Sequence, residues 1–147
     1  MFPEPKISVL IPVYYKDNPD YVNQALDSVM NQTRVPDEIV VVIDGPVSAK
    51  ISGVINTCRE RFGGEFGCIQ LDANYGLGEA LRIGVAGCRY ELIARMDADD
   101  IAKKTRFEKQ YEVFRNNPAL SVLGSYIKEF EEDMNAPITM RKVPLTH

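Results

Sequence analysis

The residues best equipped for chemistry in this sequence stand in four short groups, each just past an apolar run: Tyr14-Tyr15, Asp44-Gly45-Pro46, Asp72-Ala73-Asn74 and Asp97-Ala98-Asp99-Asp100. The last group is the most pointed. Three carboxylates in four residues repel one another, and each raises the others' pKa unless a cation sits among them. One aspartate would serve a turn or a cap. Three suggest hard oxygen ligands for magnesium or manganese, ions that take one or two carboxylates together with substrate phosphates. A metal–diphosphate site therefore ranks ahead of a solvated turn. The other groups each have a plainer reading as well: a turn at Asp44-Gly45-Pro46, packing residues at Tyr14 and Tyr15, a loop closure at Asn74. Lys103, Lys104 and Arg106 would be solvated residues ahead of a helix, or would counter the acidic run or approach a phosphate, and Arg82 divides evenly between surface and site.

These groups need elements to hold them. Ile7 to Val13 reads as a buried strand, and Asn18-Pro19-Asp20 then offers a helix cap with proline at the first helical position. Val22, Ala25, Leu26, Val29 and Met30 follow on one helical face. Glu38 to Ile43 is a second strand with no polar face, as in a strand covered on both sides. Ile51, Val54, Ile55, Cys58 and Phe62 repeat the helical spacing. Cys68 to Leu71 is a weaker strand, followed by a short helix carrying Leu77, Leu81 and Val85. Leu92 to Met96 is a fourth strand, and Thr105-Arg106-Phe107-Glu108 fits a capping box opening a helix with Phe107, Tyr111 and Phe114 inward. Asn116-Asn117-Pro118 stops it, and Ser121 to Phe130 is a fifth strand. The run Lys128 to Asp133 reads as a solvated strand end or hairpin. Strands alternating with amphipathic helices must be mostly parallel, giving a Rossmann-like open α/β sheet with helices on both faces. Such a sheet places its ligand beyond the carboxyl ends of its strands, near the point where strand order reverses. Each of the four short groups of chemical residues follows the end of a strand.

Composition narrows the class. The 147 residues suit one domain, and 45% hydrophobic with 26% charged residues is a globular balance. A net charge of −4 argues against holding nucleic acid or anionic lipid by bulk electrostatics. Cys58, Cys68 and Cys88 are an odd number at wide spacing, and His147 is the one histidine, so neither a disulfide framework nor a structural zinc site is expected. The apolar runs are of strand length, short of the ~18 residues of a membrane span, and the amino-terminal residues do not read as a leader. A cytoplasmic protein is expected, with membrane association left to sequence beyond this chain. A dinucleotide-dependent oxidoreductase would share the alternating pattern, but Tyr14-Tyr15-Lys16-Asp17 stands where its glycine-rich phosphate loop should be.

The runs Ile7 to Tyr14, Ala25-Leu26-Asp27-Ser28-Val29, Gln32-Thr33, Pro36 to Val42 and Asp44-Gly45 resemble the start of family 2 glycosyltransferases of the GT-A fold. The likeness continues through Asn74, Gly76-Leu77-Gly78-Glu79-Ala80-Leu81, Ile93 to Ile101 with its D-x-D, and Arg106-Phe107-Glu108-Lys109-Gln110. It is most similar to bacterial enzymes of exopolysaccharide or surface-polysaccharide assembly. The resemblance implies an inverting, metal-dependent transfer of a sugar from a nucleotide-diphosphate donor, UDP-sugar favoured, to a saccharide or lipid-linked saccharide. It implies that Tyr14 lies against the base, Asp44 bonds the base edge, Asn74 belongs to the nucleotide site and Asp97 reaches the ribose. Asp99 would hold the manganese or magnesium ion, and Asp100 would face the sugar or serve the turn, the turn ranking slightly higher. Two positions depart from the family pattern: Ile43-Asp44 stands where two aspartates are usual, and Arg82 where asparagine is commoner. Full members continue into an acceptor-facing half that carries the catalytic base. Residues 1–147 are accordingly expected to be the nucleotide-sugar-binding domain, truncated before that half, with the base outside the chain. The alternative is a non-catalytic nucleotide-sugar-binding module.

Overall fold

The computed structural model describes residues 4–131, 133–136 and 138–145, so His147, Thr146, Pro137, Glu132 and the first three residues lie outside it. The chain divides into two compact units, Met1–Lys109 and Gln110–His147.

The first unit carries, in order, β1 (Ile7–Tyr14), α1 (Pro19–Met30), β2 (Glu38–Asp44), α2 (Ala49–Arg61), β3 (Glu65–Gln70), α3 (Leu77–Gly87) and β4 (Leu92–Arg95). The helix α4 (Arg106–Asn116) begins in it. Among the described residues the sheet has four strands in the order β3-β2-β1-β4, and every pairing is parallel. The open parallel α/β sheet read from the sequence is the fold observed.

Local chemistry explains the starts of the helices. Asn18 Oδ1 accepts the Asp20 N–H at 2.8 Å with Pro19 at the first helical position, and Ser48 Oγ caps α2 by accepting the Ile51 N–H. All seven residues of β2 are buried. In register, Leu10 lies opposite Val40 and Pro12 opposite Val42, so these residues share a face. Leu10, Val40 and Val42 close with Ala80 into a buried cluster ringed by Ile69, Leu71, Leu81, Cys88 and Ile93. The other row, Val9, Ile11, Val13, Ile39, Val41 and Ile43, is equally buried. Helices α1 and α2, each with a buried apolar face, pack on each other.

Three sequence expectations change. The inward face of α3 is Ala80 and Gly84, while Leu77 and Val85 are half-exposed. The helix sits too close to the sheet for larger residues: a Cβ at Gly84 would lie 2.3 Å from Leu10 Cδ1 and 2.9 Å from Val42 Cγ2. The third strand starts at Glu65 and ends at Gln70, because its pairing with β2 begins at Glu38 and an edge strand tolerates Glu65 and Gly67. The expected capping box is replaced by a longer reach, Glu108 Oε2 accepting from the Thr33 hydroxyl at 2.9 Å.

In the second unit, the expected strand over Ser121 to Phe130 contracts to β5 (Ile127–Glu129). It pairs antiparallel with β6 (Thr139–Arg141), apart from the parallel sheet. Only the residues that find a cross-strand partner are strand. The acidic run, read as a strand end or hairpin, has Lys128 and Glu129 in β5, paired with β6, and Asp133 accepts both the Asn135 N–H through its side chain and the Ala136 N–H through its backbone, while Glu132 lies outside the described residues. Phe107 and Tyr111 of α4 are buried and Phe114 is half-buried.

Candidate functional site

Strand order reverses at β1, which has β2 on one side and β4 on the other. The crevice expected at such a reversal is present, a cleft of about 340 Å³ at the carboxyl ends of these strands. Tyr14, Asp44, Asn74, Asp97 and Asp99 all line it. Asp17, Gly76, Leu77 and Ala80 line it too, and none of these four was given a site role from the sequence.

Asp44 ends β2 and is 3% exposed. Its Oδ1 accepts the Tyr75 N–H at 2.7 Å and its Oδ2 the Gly76 N–H at 2.9 Å. In return Asn74 Nδ2 donates to the Asp44 carbonyl at 3.2 Å. Thus Asp44 first of all holds the loop that leads into α3, and a second lone pair on each oxygen remains for the cleft. The corner is tight. Gly45 has a φ of +88°, and a Cβ there would lie 2.7 Å from Asn74 N and 2.9 Å from the Ala73 carbonyl carbon. Replacing Gly45 by alanine meets backbone that cannot swing away, on top of roughly 1–3 kcal/mol for the left-handed conformation. Chemical denaturation should show Gly45→Ala destabilised by at least that amount; an unchanged midpoint would contradict the close approach.

Tyr14 is 39% exposed and meets Tyr15 edge-on, with ring centroids 5.5 Å apart. Its backbone is fixed by Asp17: Oδ2 accepts the Tyr14 N–H at 2.8 Å, and the Asp17 N–H donates to the Tyr14 carbonyl at 3.1 Å. Burial pushes the Asp17 carboxyl above the usual aspartate range, the Tyr14 bond opposes this, and the charges of Asp99 and Asp97 add to it. The cleft therefore gathers Asp17, Asp97 and Asp99 from two loops, beside Asp44 at the end of β2.

The acidic run is balanced differently from the sequence expectation. Arg95 Nη2 pairs with Asp97 Oδ1 at 2.8 Å. Arg106 is half-buried and donates to the Arg95 carbonyl at 2.9 Å. Burial lowers its pKa, and the charges of Asp100 and Asp97 hold it up. Two arginines thus stand among the carboxylates, and repulsion within the run is not by itself a reason for a metal. Arg106 is not the solvated residue that its place before a helix suggested. Arg82 resolves to the surface: it is exposed, forks onto Glu79 at 2.8 and 2.6 Å, and is not among the cleft residues.

Among the described residues, no group of three or more His, Cys, Asp and Glu side chains is placed to hold a metal ion. A protein-only cage is therefore not what the cleft offers. Asp99 is exposed at the cleft wall, a hard oxygen donor suited to an ion whose remaining ligands are phosphates and water. The residues present fit a divalent ion in that manner.

Residues 8–144 match the family model described as glycosyl transferase family 2. The chain belongs to that family. Among curated relatives, it is 35% identical over 140 residues to the UDP-Gal:alpha-D-GlcNAc-diphosphoundecaprenol beta-1,3-galactosyltransferase of Escherichia coli, covering 95% of this chain and 50% of the relative. It is 36% identical to the amylovoran biosynthesis glycosyltransferase AmsE of Erwinia amylovora, over 95% of this chain and 51% of the relative. The chain spans about half the length of these curated relatives. Two solved structures share the fold. Staphylococcus aureus TarS 1-349 in complex with UDP-GlcNAc superposes with a TM-score of 0.67 at 21% identity, over 77% of this chain and 32% of that one. The mannosyltransferase PcManGT of Pyrobaculum calidifontis in complex with GDP-Man and Mn2+ superposes with a TM-score of 0.59 at 20% identity, over 67% of this chain and 28% of that one.

The cleft lies at the carboxyl ends of β1, β2 and β4, where an open parallel sheet places a ligand. No helix among the described residues is long and apolar enough to cross a membrane. Burial pushes up the thiols of Cys58, Cys68 and Cys88, and none of the three lines the cleft.

Proposed function

We propose that this cleft binds the nucleoside diphosphate of a sugar donor, UDP favoured, and that the parent protein transfers the sugar with inversion to a saccharide or lipid-linked saccharide. The observation that carries the reading is the convergence of Tyr14, Asp44, Asn74, Asp97 and Asp99 on one cleft at the strand-order reversal. In it, Tyr14 offers a ring face to the base, Asp44 and Asn74 offer polar atoms to its edge, and Asp97 accepts from the ribose hydroxyls. Asp99 would hold manganese or magnesium, which when bound takes up charge developing on the diphosphate as the glycosidic bond breaks. Arg95 and Arg106 keep the acidic turn compact so that Asp99 faces the cleft. Asp100 serves the turn, its N–H donating to the Asp97 carbonyl at 3.2 Å. The names of the two curated relatives support polysaccharide assembly, and the first supports a lipid-linked acceptor; we place the parent protein at the cytoplasmic face of a membrane.

Positioning the donor is separable from removing the acceptor's proton. We assign the base to the acceptor-facing half that the relatives have beyond this chain's span, so residues 1–147 bind donor without transferring sugar. The test is a transfer assay with UDP-sugars on this chain beside a longer chain of the same protein. Transfer by the longer chain alone is expected. Equal rates would put the base within residues 1–147 and make Asp100 the first residue to replace. Binding without transfer by either would favour a non-catalytic nucleotide-sugar-binding module.

Asp17 gives a prediction of its own. A carboxyl whose folded pKa is raised makes the folded state hold more protons than the unfolded state between the two pKa values. Stability therefore falls as pH rises through that window and is lowest above it. Asp17→Asn keeps an oxygen for the Tyr14 N–H and removes the charge. At pH 7 it should be the more stable form, by less than about 1 kcal/mol because the group is half in solvent, a rise of up to roughly 2–4 °C in Tm. The gap should close as pH is lowered below the ordinary aspartate range. Without metal, the same substitution should strengthen UDP binding severalfold, since one of the charges that repel the diphosphate is gone. A variant less stable at pH 7 than at pH 3, relative to wild type, would contradict the electrostatic account.

A further inference from the structure

Gln32 lies outside the cleft, two residues beyond the end of α1, and is 4% exposed. Burying an amide is costly unless it is bonded, and here the partners lie on two segments. Nε2 donates to the Ser28 carbonyl of its own helix at 2.9 Å and to the Lys103 carbonyl at 2.9 Å, while Oε1 accepts the Phe107 N–H at 3.1 Å. Beside it, Ser28 Oγ accepts the Ala102 N–H at 2.9 Å and the Thr33 N–H donates to the Lys104 carbonyl at 2.9 Å. One helix end thus clasps the stretch that directly follows Asp99 and Asp100.

The other side of the acidic turn is fixed by the sheet, where the Met96 N–H donates to the Leu10 carbonyl at 3.0 Å. From the clasped side, Arg106 reaches back to the Arg95 carbonyl at 2.9 Å and to Met96 Sδ at 3.2 Å. The turn is a short span between two anchors. Ala102 and Phe107 are buried as well, but apolar burial is non-directional. Register at this anchor comes from the amide fork.

We propose that Gln32 is a positioning residue: through Lys103 and Phe107 it holds the segment that aims Asp99 at a metal-bound diphosphate. The inference rests on the metal–diphosphate reading above and goes beyond it in assigning a distant residue to the site. The test titrates UDP, with manganese and with chelator, into the 147-residue wild type, Gln32→Met, Asp99→Asn and the double variant. Gln32→Met should lose about tenfold in affinity with manganese, the scale on which outer-shell partners of a metal site act. It should match wild type in chelator and add nothing to Asp99→Asn. Ser28→Ala, which removes a single bond of the clasp, should show a smaller loss of the same kind and decides the matter if Gln32→Met does not fold. Equal loss with and without metal, additive with Asp99→Asn, would overturn the positioning role, as would full retention of the metal effect. A wild type with no metal effect would refute the metal reading itself and this inference with it; a wild-type effect that survives Gln32→Met refutes the inference alone.

Discussion

Asp44→Ala should cost this chain both stability and nucleotide binding. The carboxylate is buried and takes two backbone N–H groups, from Tyr75 and Gly76. Bonds to a charged group contribute about 1.5–3 kcal/mol each, and stranding the donors adds their desolvation. A loss of roughly 3 kcal/mol or more is a large share of a stability of about 5–15 kcal/mol. Asn at this position keeps one acceptor but turns an amide donor toward the other N–H, so Asp44→Asn should fall between alanine and wild type. Because the loop released is the one that lines the cleft with Asn74 and Gly76, UDP affinity should drop in the same order. Urea unfolding and calorimetric titration on the three forms check this. A fully stable Asp44→Ala that had lost only nucleotide would mean that the carboxylate serves the ligand and not the loop.

Asp99→Asn is expected to behave in the opposite way. Asp99 is exposed at the cleft wall, so its replacement should leave stability within about 0.5 kcal/mol, as for surface substitutions away from special features. The metal-dependent part of UDP affinity should vanish. Removing a ligand should exceed the 10–100-fold effect of removing an outer-shell partner, which makes a loss of roughly a hundredfold or more in manganese. In chelator the variant should bind UDP at least as well as wild type, because one charge facing the diphosphate is gone. Paired thermal melts and titrations read both halves of the prediction. A variant that unfolds early, or that keeps the manganese effect, would move the metal role away from Asp99.

Much of the architecture is written in local sequence. The strand ends at Tyr14, Asp44 and Arg95 are legible because β-branched runs stop there and polar residues begin, and α1 announces its start through Asn18-Pro19. The placement of five polar residues on one cleft follows from parallel topology, since every strand end points the same way. What escapes is decided by tertiary contact. Asp17 enters the cleft because a turn folds it back onto the Tyr14 N–H; the available cue was an aspartate three residues past a strand end in a loop too short to lead away. Arg106 reads as solvated beside a helix start, yet the Arg95 carbonyl anchors it and the charges of Asp97 and Asp100 hold up its charge against burial. Gln32 was visible only as part of a resemblance. Its bonds reach residues more than seventy positions away, a distance that no periodicity reports. The short strands β5 and β6 exist because they pair with each other, and three-residue strands leave no pattern to read.

Paramagnetic broadening of amide resonances by manganese, measured on the 147-residue chain with and without UDP, tests the central claim most directly. With UDP present, broadening should centre on Asp97 to Asp100 and extend to Tyr14, Asp17 and Gly76. It should leave Gly63 and Gly64, in the groove lined by Asp37 and Phe62, sharp. Without UDP, broadening of the same amides should need much more manganese. Broadening centred on Gly63 and Gly64, or a pattern that UDP does not change, would contradict a metal–diphosphate site held by Asp99.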